Sequence, residues 1–121
     1  MKIAISAQNE KKDCNLDSRF GRCSHFHIYD LDNSSVEIFE NEGQKASGGA
    51  GIAAAQQIID LKVEAVITGS LGPNAFKLID KAGIKSYTSE EFKIEEVLEK
   101  YKAKELKEIE IPGKSPHGMG M

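Results

Sequence analysis

The sequence predicts an α/β protein: one mixed β-sheet with helices on both faces. Three observations lead there. The first forty residues carry short apolar runs of strand composition, and from residue 50 onward the apolar period lengthens to that of a helix. Asp32-Asn33-Ser34 is a tight turn signal between two strand-like runs, which makes a hairpin and so an antiparallel strand. After the hairpin the order is helix, strand, helix, strand, helix, and strand–helix–strand units give parallel pairing with right-handed crossovers. A chain of 121 residues, 40% hydrophobic and 29% charged, suits one compact domain with one core.

Lys2 to Ser6 (KIAIS) reads as a short buried strand that opens the fold. Gln8 to Gly21 follows as a long polar loop holding Cys14, and loops of that length are often functional. Ser24 to Leu31 is strand-like, with Phe26 and Ile28 on one face and His25, His27 and Tyr29 on the other. Ser35 to Glu40 pairs back across the turn. Gly48-Gly49-Ala50-Gly51 then leads into an alanine-rich helix over Ile52 to Leu61. Ala65 to Thr68 is a buried strand closed by Gly69. Gly72-Pro73-Asn74 starts a second helix that runs through Ala82, since proline is well tolerated in a first turn. Gly83 stops it, Ile84 to Tyr87 is the last strand, and Glu91 to Lys100 forms a charged amphipathic helix with Phe92, Val97 and Leu98 inward. From Pro112 the chain has no apolar periodicity; a domain over residues 1–108 and a flexible Gly/Met/His tail over 109–121 are expected.

Bulk properties narrow the function. A net charge of -3, with lysines interleaved among glutamates, gives no reason to expect a nucleic acid partner. No apolar run approaches the roughly 20 residues a membrane span needs, and the amino-terminal residues lack the apolar core of a signal peptide. A cytoplasmic protein is expected, with Cys14 and Cys23 as free thiols rather than a disulfide.

In open α/β sheets, ligands collect beyond the carboxyl ends of the parallel strands. Three segments converge there: the loop carrying Cys14, Arg19, Arg22 and Cys23; Ser47 to Gly51 with Gly48 and Gly49; and Thr68 to Asn74 with Gly69, Gly72 and Asn74. Glycines at helix starts let backbone N–H groups approach a ligand, and the positive helix end favours anions. A glycine pair taken alone reads more readily as a tight turn; two such turns on the same sheet edge bring a binding site level with that reading. The two thiols are nine positions apart, which matches no closed zinc motif. Thiolates do suit soft metals and iron–sulfur sites, with His25, His27, His117 or Met119 as supplementary ligands. Cys23 is the better candidate, because the adjacent Arg22 would lower its pKa; Cys14 reads equally as an incidental loop thiol, and His27 as a packed strand residue. No G-x-S-x-G or G-x-x-x-x-G-K-[ST] motif occurs, and Ile3-Ala4-Ile5-Ser6 offers no metal-binding acid, so an enzyme is not expected.

One ordered set of residues is more specific than any single motif. Ser18-Arg19-Phe20-Gly21-Arg22-Cys23, Phe26 to Asp30, the Gly48-to-Ala53 helix start, Ile67-Thr68-Gly69, Leu71-Gly72-Pro73-Asn74-Ala75-Phe76 and Ala82-Gly83-Ile84 resemble the dinitrogenase iron–molybdenum cofactor biosynthesis (nitrogenase accessory factor) family. The resemblance runs from Met1 to about Leu106. It implies a three-layer α/β/α fold of ribonuclease-H-like type with a five-stranded mixed sheet. It also implies a non-catalytic carrier that binds the iron–molybdenum cofactor or an iron–sulfur cluster and passes it to a recipient or scaffold protein. In that setting Gly49, Gly72, Arg19 and Arg22 would offset the charge of the cluster, and Cys23 would supply a soft ligand. Two alternatives stand beside it: a small-anion or nucleotide-binding regulatory module without metal, and a partner protein that docks through its hairpin edge.

Overall fold

The computed structural model describes residues 1–112, so His117, Met119 and most of the expected tail lie outside the described residues. The sheet is built around β1 (Lys2–Ala7), which pairs antiparallel with β2 (His25–Asp30) and parallel with β4 (Ala65–Thr68). Outward from β2 lies β3 (Ser35–Glu40), the expected hairpin partner, with Phe26 opposite Phe39 and His27 opposite Ile38. On the other side β5 (Lys85–Thr88) pairs parallel with β4.

The sheet has six strands, not five, in the order β3-β2-β1-β4-β5-β6. The additional strand, β6 (Lys107–Glu108), runs antiparallel to β5 at the edge, and the next N–H, of Ile109, donates to the Ser86 carbonyl at 2.7 Å. A two-residue Lys-Glu strand carries no apolar alternation, so only backbone pairing defines it. That is why it is invisible to pattern reading.

Three helices cover the sheet. α1 (Ala50–Asp60) and α2 (Pro73–Lys81) pack on one face, where Ala54, Ala55, Ile58, Ala75 and Ile79 meet Ala4, Phe26, Ile28 and Val66. α3 (Ile94–Lys102) covers the other, where Ile94, Val97 and Leu98 meet Ile3, Ile5, Ala65 and Ile67. Strict alternation along β1 and β4 sends neighbouring residues into opposite cores, which is what a sheet buried on both faces requires. Here α3 begins three residues later than expected. Phe92 and Lys93 are instead held by the long loop: the Leu16 N–H donates to the Phe92 carbonyl at 2.9 Å, and Asn15 bridges Lys93. Among the described residues no helix is long and apolar enough to cross a membrane.

Candidate functional site: a cleft at the rim of the sheet

The loop between β1 and β2 is fastened across the carboxyl ends of the central strands. The Ser6 hydroxyl donates to the Asp17 carbonyl at 2.6 Å and lies 2.8 Å from the Thr68 hydroxyl; the Asp17 N–H donates to the Ser6 carbonyl, and the Ser70 N–H to the Ser18 carbonyl. Ser6 and Thr68 are fully buried, so these bonds satisfy hydroxyls that the interior would otherwise penalise. Gly69 is the hinge of this joint. A Cβ there would stand 2.4 Å from the Ser18 Cβ and 2.6 Å from its Cα, so the glycine serves backbone approach and not ligand contact.

Above the joint lies a cleft of about 380 Å³, bounded by Arg19 to Gly21, by Gly49, Gly51 and Ile52 at the start of α1, and by Ser70 with Gly72 to Ala75 at the start of α2. Both helix starts open into it. The caps, Gly49 and Gly72, have no side chain to bond the first turn, and neither first turn contains an acidic residue. The first intrahelical bonds are Ala53 N–H to Gly49 and Phe76 N–H to Gly72, so the amides of Ala50, Gly51, Ile52, Asn74 and Ala75 have no helical partner. Gly49 takes a left-handed conformation at φ 67°, which glycine adopts without the penalty a Cβ would bring.

Arg19 supplies the single cation of the lining. Its guanidinium forks onto the Asp17 carboxylate, with Nε at 3.0 Å and Nη2 at 2.9 Å. Burial raises the Asp17 pKa, but the side-chain and backbone hydrogen bonds from Arg19 outweigh it and hold the carboxyl below its ordinary value. The pair fixes Arg19 in place and leaves the lining with little net charge.

Of the residues singled out from the sequence, Arg19, Gly49, Gly72 and Asn74 share this cleft. Gly48 is exposed beside it with open space around its Cα, and Arg22 is exposed and does not line it. The remaining candidates scatter. His25 is half-buried, with Nδ1 against the Ser24 hydroxyl. Cys23 is completely buried in the core beneath α1, its sulfur 3.5 Å from the Phe20 carbonyl and 3.4 Å from the His25 carbonyl, with the Asn41 amide donating to it. The expected depression of its pKa is overturned: burial pushes the thiol up to about 12. Arg22 is exposed, and solvent screens its influence on a buried sulfur. Cys14 sits in the other core, against α3, so the sheet separates the two thiols. Among the described residues no three His, Cys, Asp or Glu side chains group to hold a metal ion.

Several contributors to the site escaped the sequence reading. Asn41 is buried, and its amide donates to the carbonyls of Phe20, Gly21 and Cys23 while its Oδ1 accepts the Gly43 N–H, pinning the turn that forms one wall. Asn is a turn residue by composition, which was its only signal. Ile52, 45% exposed, and Ser70 complete the lining; both lie within segments the sequence placed near the site, though neither was singled out as a contact.

The fold and the cleft define a three-layer α/β protein whose two uncapped helix starts meet at the carboxyl rim of a mixed sheet. The chain belongs to the dinitrogenase iron-molybdenum cofactor family, whose model matches residues 1–104. The fold is similar to the apo form of the orange protein from Desulfovibrio gigas, with a TM-score of 0.88 and 30% identity over 93% of this chain and 96% of that one. A Thermotoga protein described as a candidate NifB superposes with a TM-score of 0.82 at 27% identity, covering 94% and 97% of the two chains. An uncharacterised protein of Methanocaldococcus jannaschii is 30% identical over 113 residues, 91% of this chain and 92% of that one.

Proposed function

We propose that the chain is a non-catalytic, cytoplasmic carrier that holds an anionic metal–sulfur cluster in the rim cleft and delivers it to a recipient or scaffold protein. The iron–molybdenum cofactor, or an iron–sulfur precursor of it, is the cargo. The observation that carries this reading is the meeting of two uncapped, acid-free helix starts in one cleft of about 380 Å³. Unpartnered amides and the positive helix ends attract a polyanion. Phe20, Ile52, Pro73 and Ala75 give the same cleft apolar walls, which suit polarisable sulfides. Because Asp17 already occupies the Arg19 fork, the cleft matches a large anion of low charge density better than a phosphate.

The donor set supports one way of holding the cargo. An iron–sulfur cluster built on the protein takes about four cysteine thiolates, and here the two thiols lie in separate cores. The cluster is therefore bound as a finished object through its outer surface, without protein–metal bonds. Weak, reversible attachment is what a delivery protein needs. The lining offers Arg19, Ser70 and Asn74 as polar side chains and no general base or activated nucleophile, which supports a non-catalytic role. The family, described by the dinitrogenase iron-molybdenum cofactor, points the same way.

The test is anaerobic incubation of the full chain with isolated iron–molybdenum cofactor, or with a preformed iron–sulfur cluster, followed by desalting, metal analysis and visible spectroscopy. The expected result is retained colour in wild type and in Cys23→Ser, with at least a tenfold loss of affinity in Gly72→Asp. That variant places a carboxylate at the α2 cap, so it improves the helix while repelling the anion. A colourless wild type, or thermal stabilisation by phosphate or a nucleotide with none by the clusters, would reject the carrier in favour of an anion-sensing module.

A further inference from the structure

The opposite face of the sheet holds a second group of soft donors that the cleft does not use. His27, in the middle of β2, is fully buried, and the β1–β2 loop folds over it. Its Nε2 lies 3.0 Å from the Asn9 carbonyl oxygen and 3.9 Å from Cys14 Sγ, and that sulfur lies 3.4 Å from the same carbonyl. Sulfur, nitrogen and oxygen thus form a small triangle. Its centre is about 2 Å from each corner, close to the bond lengths metals make to these atoms.

We propose that Cys14 Sγ, His27 Nε2 and the Asn9 carbonyl form a binding site for one soft, low-coordinate cation, of which Cu(I) is the representative. This site stands independently of the cleft and its cargo. The simpler account is that the thiol and the imidazole share one carbonyl as hydrogen-bond acceptor. In that arrangement the ring proton sits on Nε2, and Nδ1 is left buried with no partner. Nδ1 lacks a partner with or without the ion, so the case rests on the geometry: a buried imidazole and a thiol converge on one carbonyl at a core position that leucine or phenylalanine would fill freely. Cys14 packs among Ile5, Leu16 and Tyr29, and His27 stands opposite Ile5 in the sheet, so among the described residues no acidic side chain of this core calls for an imidazole.

The chemistry of the three atoms selects the ion. A thiolate and an imidazole favour soft metals, and two or three donors are too few for a closed zinc site. Burial holds His27 below its ordinary pKa, so the imidazole is neutral, the form that binds metals, at pH 7. On binding, the thiol proton leaves to solvent and the ring proton moves from Nε2 to Nδ1. Bonds form from sulfur and Nε2 to the cation, and no electron is transferred. Access is short, because Cys14 is 8% exposed and Glu10 to Asp13 above it are exposed.

Ag(I), a redox-silent mimic of Cu(I), is the probe. Competition titrations with a chelator of known affinity compare the full-length wild type with Cys14→Ser, His27→Gln and Cys23→Ser. The proposal expects wild type and Cys23→Ser to bind one more equivalent than Cys14→Ser, and expects His27→Gln to bind that equivalent at least tenfold more weakly. Because every variant keeps the carboxyl-terminal histidine and methionines, the difference isolates the core site. Ring nitrogen shifts of His27, measured by NMR in wild type, add a readout that does not depend on variant folding: on Ag(I) addition Nδ1 moves from the unprotonated to the protonated range while Nε2 loses its proton and moves to the metal-bound range. Equal stoichiometry in wild type and Cys14→Ser, or an unmoved His27 ring, overturns the site.

Discussion

The two faces of the sheet hold complementary chemistry and keep it apart. Over the α1/α2 face, the rim is open, rich in free amides and, among the described residues, lined without sulfur. Under α3, the loop closes over a thiol and an imidazole, and the first amide of α3, that of Ile94, is already spent on the Cys14 carbonyl. The sheet between them is one residue thick, and a side chain's face is set by alternation: Phe26 and Ile28 point to one core, His27 and Tyr29 to the other. The difference teaches that nearness in sequence is a poor guide to a shared site in a doubly covered sheet. Cys23 is four residues from Arg19, yet only Arg19 meets the cleft.

The largest expected effect tests the joint that holds the open face in place. Gly69→Ala drives a Cβ into Ser18 backbone and is expected to cost at least about 3 kcal/mol. Gly48→Ala meets nothing within 4 Å and is expected to change stability by less than about 1 kcal/mol. Urea unfolding of the two variants measures the contrast, and equal losses would mean that Ser18 can retreat.

The two thiols separate next. Cys23 has a folded pKa raised to about 12, above the ordinary 9.0, so its contribution is complete below pH 9 and is lost as pH rises toward 12. Stability should fall by about 1.4 kcal/mol per pH unit across that window, and Cys23→Ala should flatten the slope at the expense of a small cavity. A wild-type curve that stays level between pH 8 and 11, followed by urea midpoints, would break the contrast.

The smallest effect sharpens the cleft itself. Ile52→Glu puts a carboxylate into the first turn of α1, where the helix start favours it by about 0.3–1 kcal/mol. Thermal denaturation should show a stability equal to or slightly above wild type, while cluster retention falls at least tenfold. Loss of both together would trace the defect to folding and not to charge.

Much of this was legible in the sequence. The order of elements, the hairpin, both helix starts and the choice of Arg19, Gly49, Gly72 and Asn74 as neighbours followed from turn residues, alternation and the rule for ligand positions in open sheets. The placing of Cys23 did not follow. Arg22 next to it suggested an electropositive thiol, but adjacent residues on an extended turn point opposite ways, and burial dominates the pKa. Asn41 drew no reading and Gly69 was placed among the ligand-site glycines, because the carbonyls that hold the Asn41 amide lie 18 or more positions away and Ser18, which Gly69 must clear, more than 50.

What the sequence by itself determined is the layered α/β class, the family and the two glycine-led helix starts, because these depend on local propensity, period and short turn chemistry. Tertiary structure alone decided that the helix starts share a cleft, that Asp17 ties Arg19, that a sixth strand closes the edge, and that sulfur is divided between two cores. Those outcomes depend on which segments cross a sheet rim and which face a loop covers. Only long-range packing determines either.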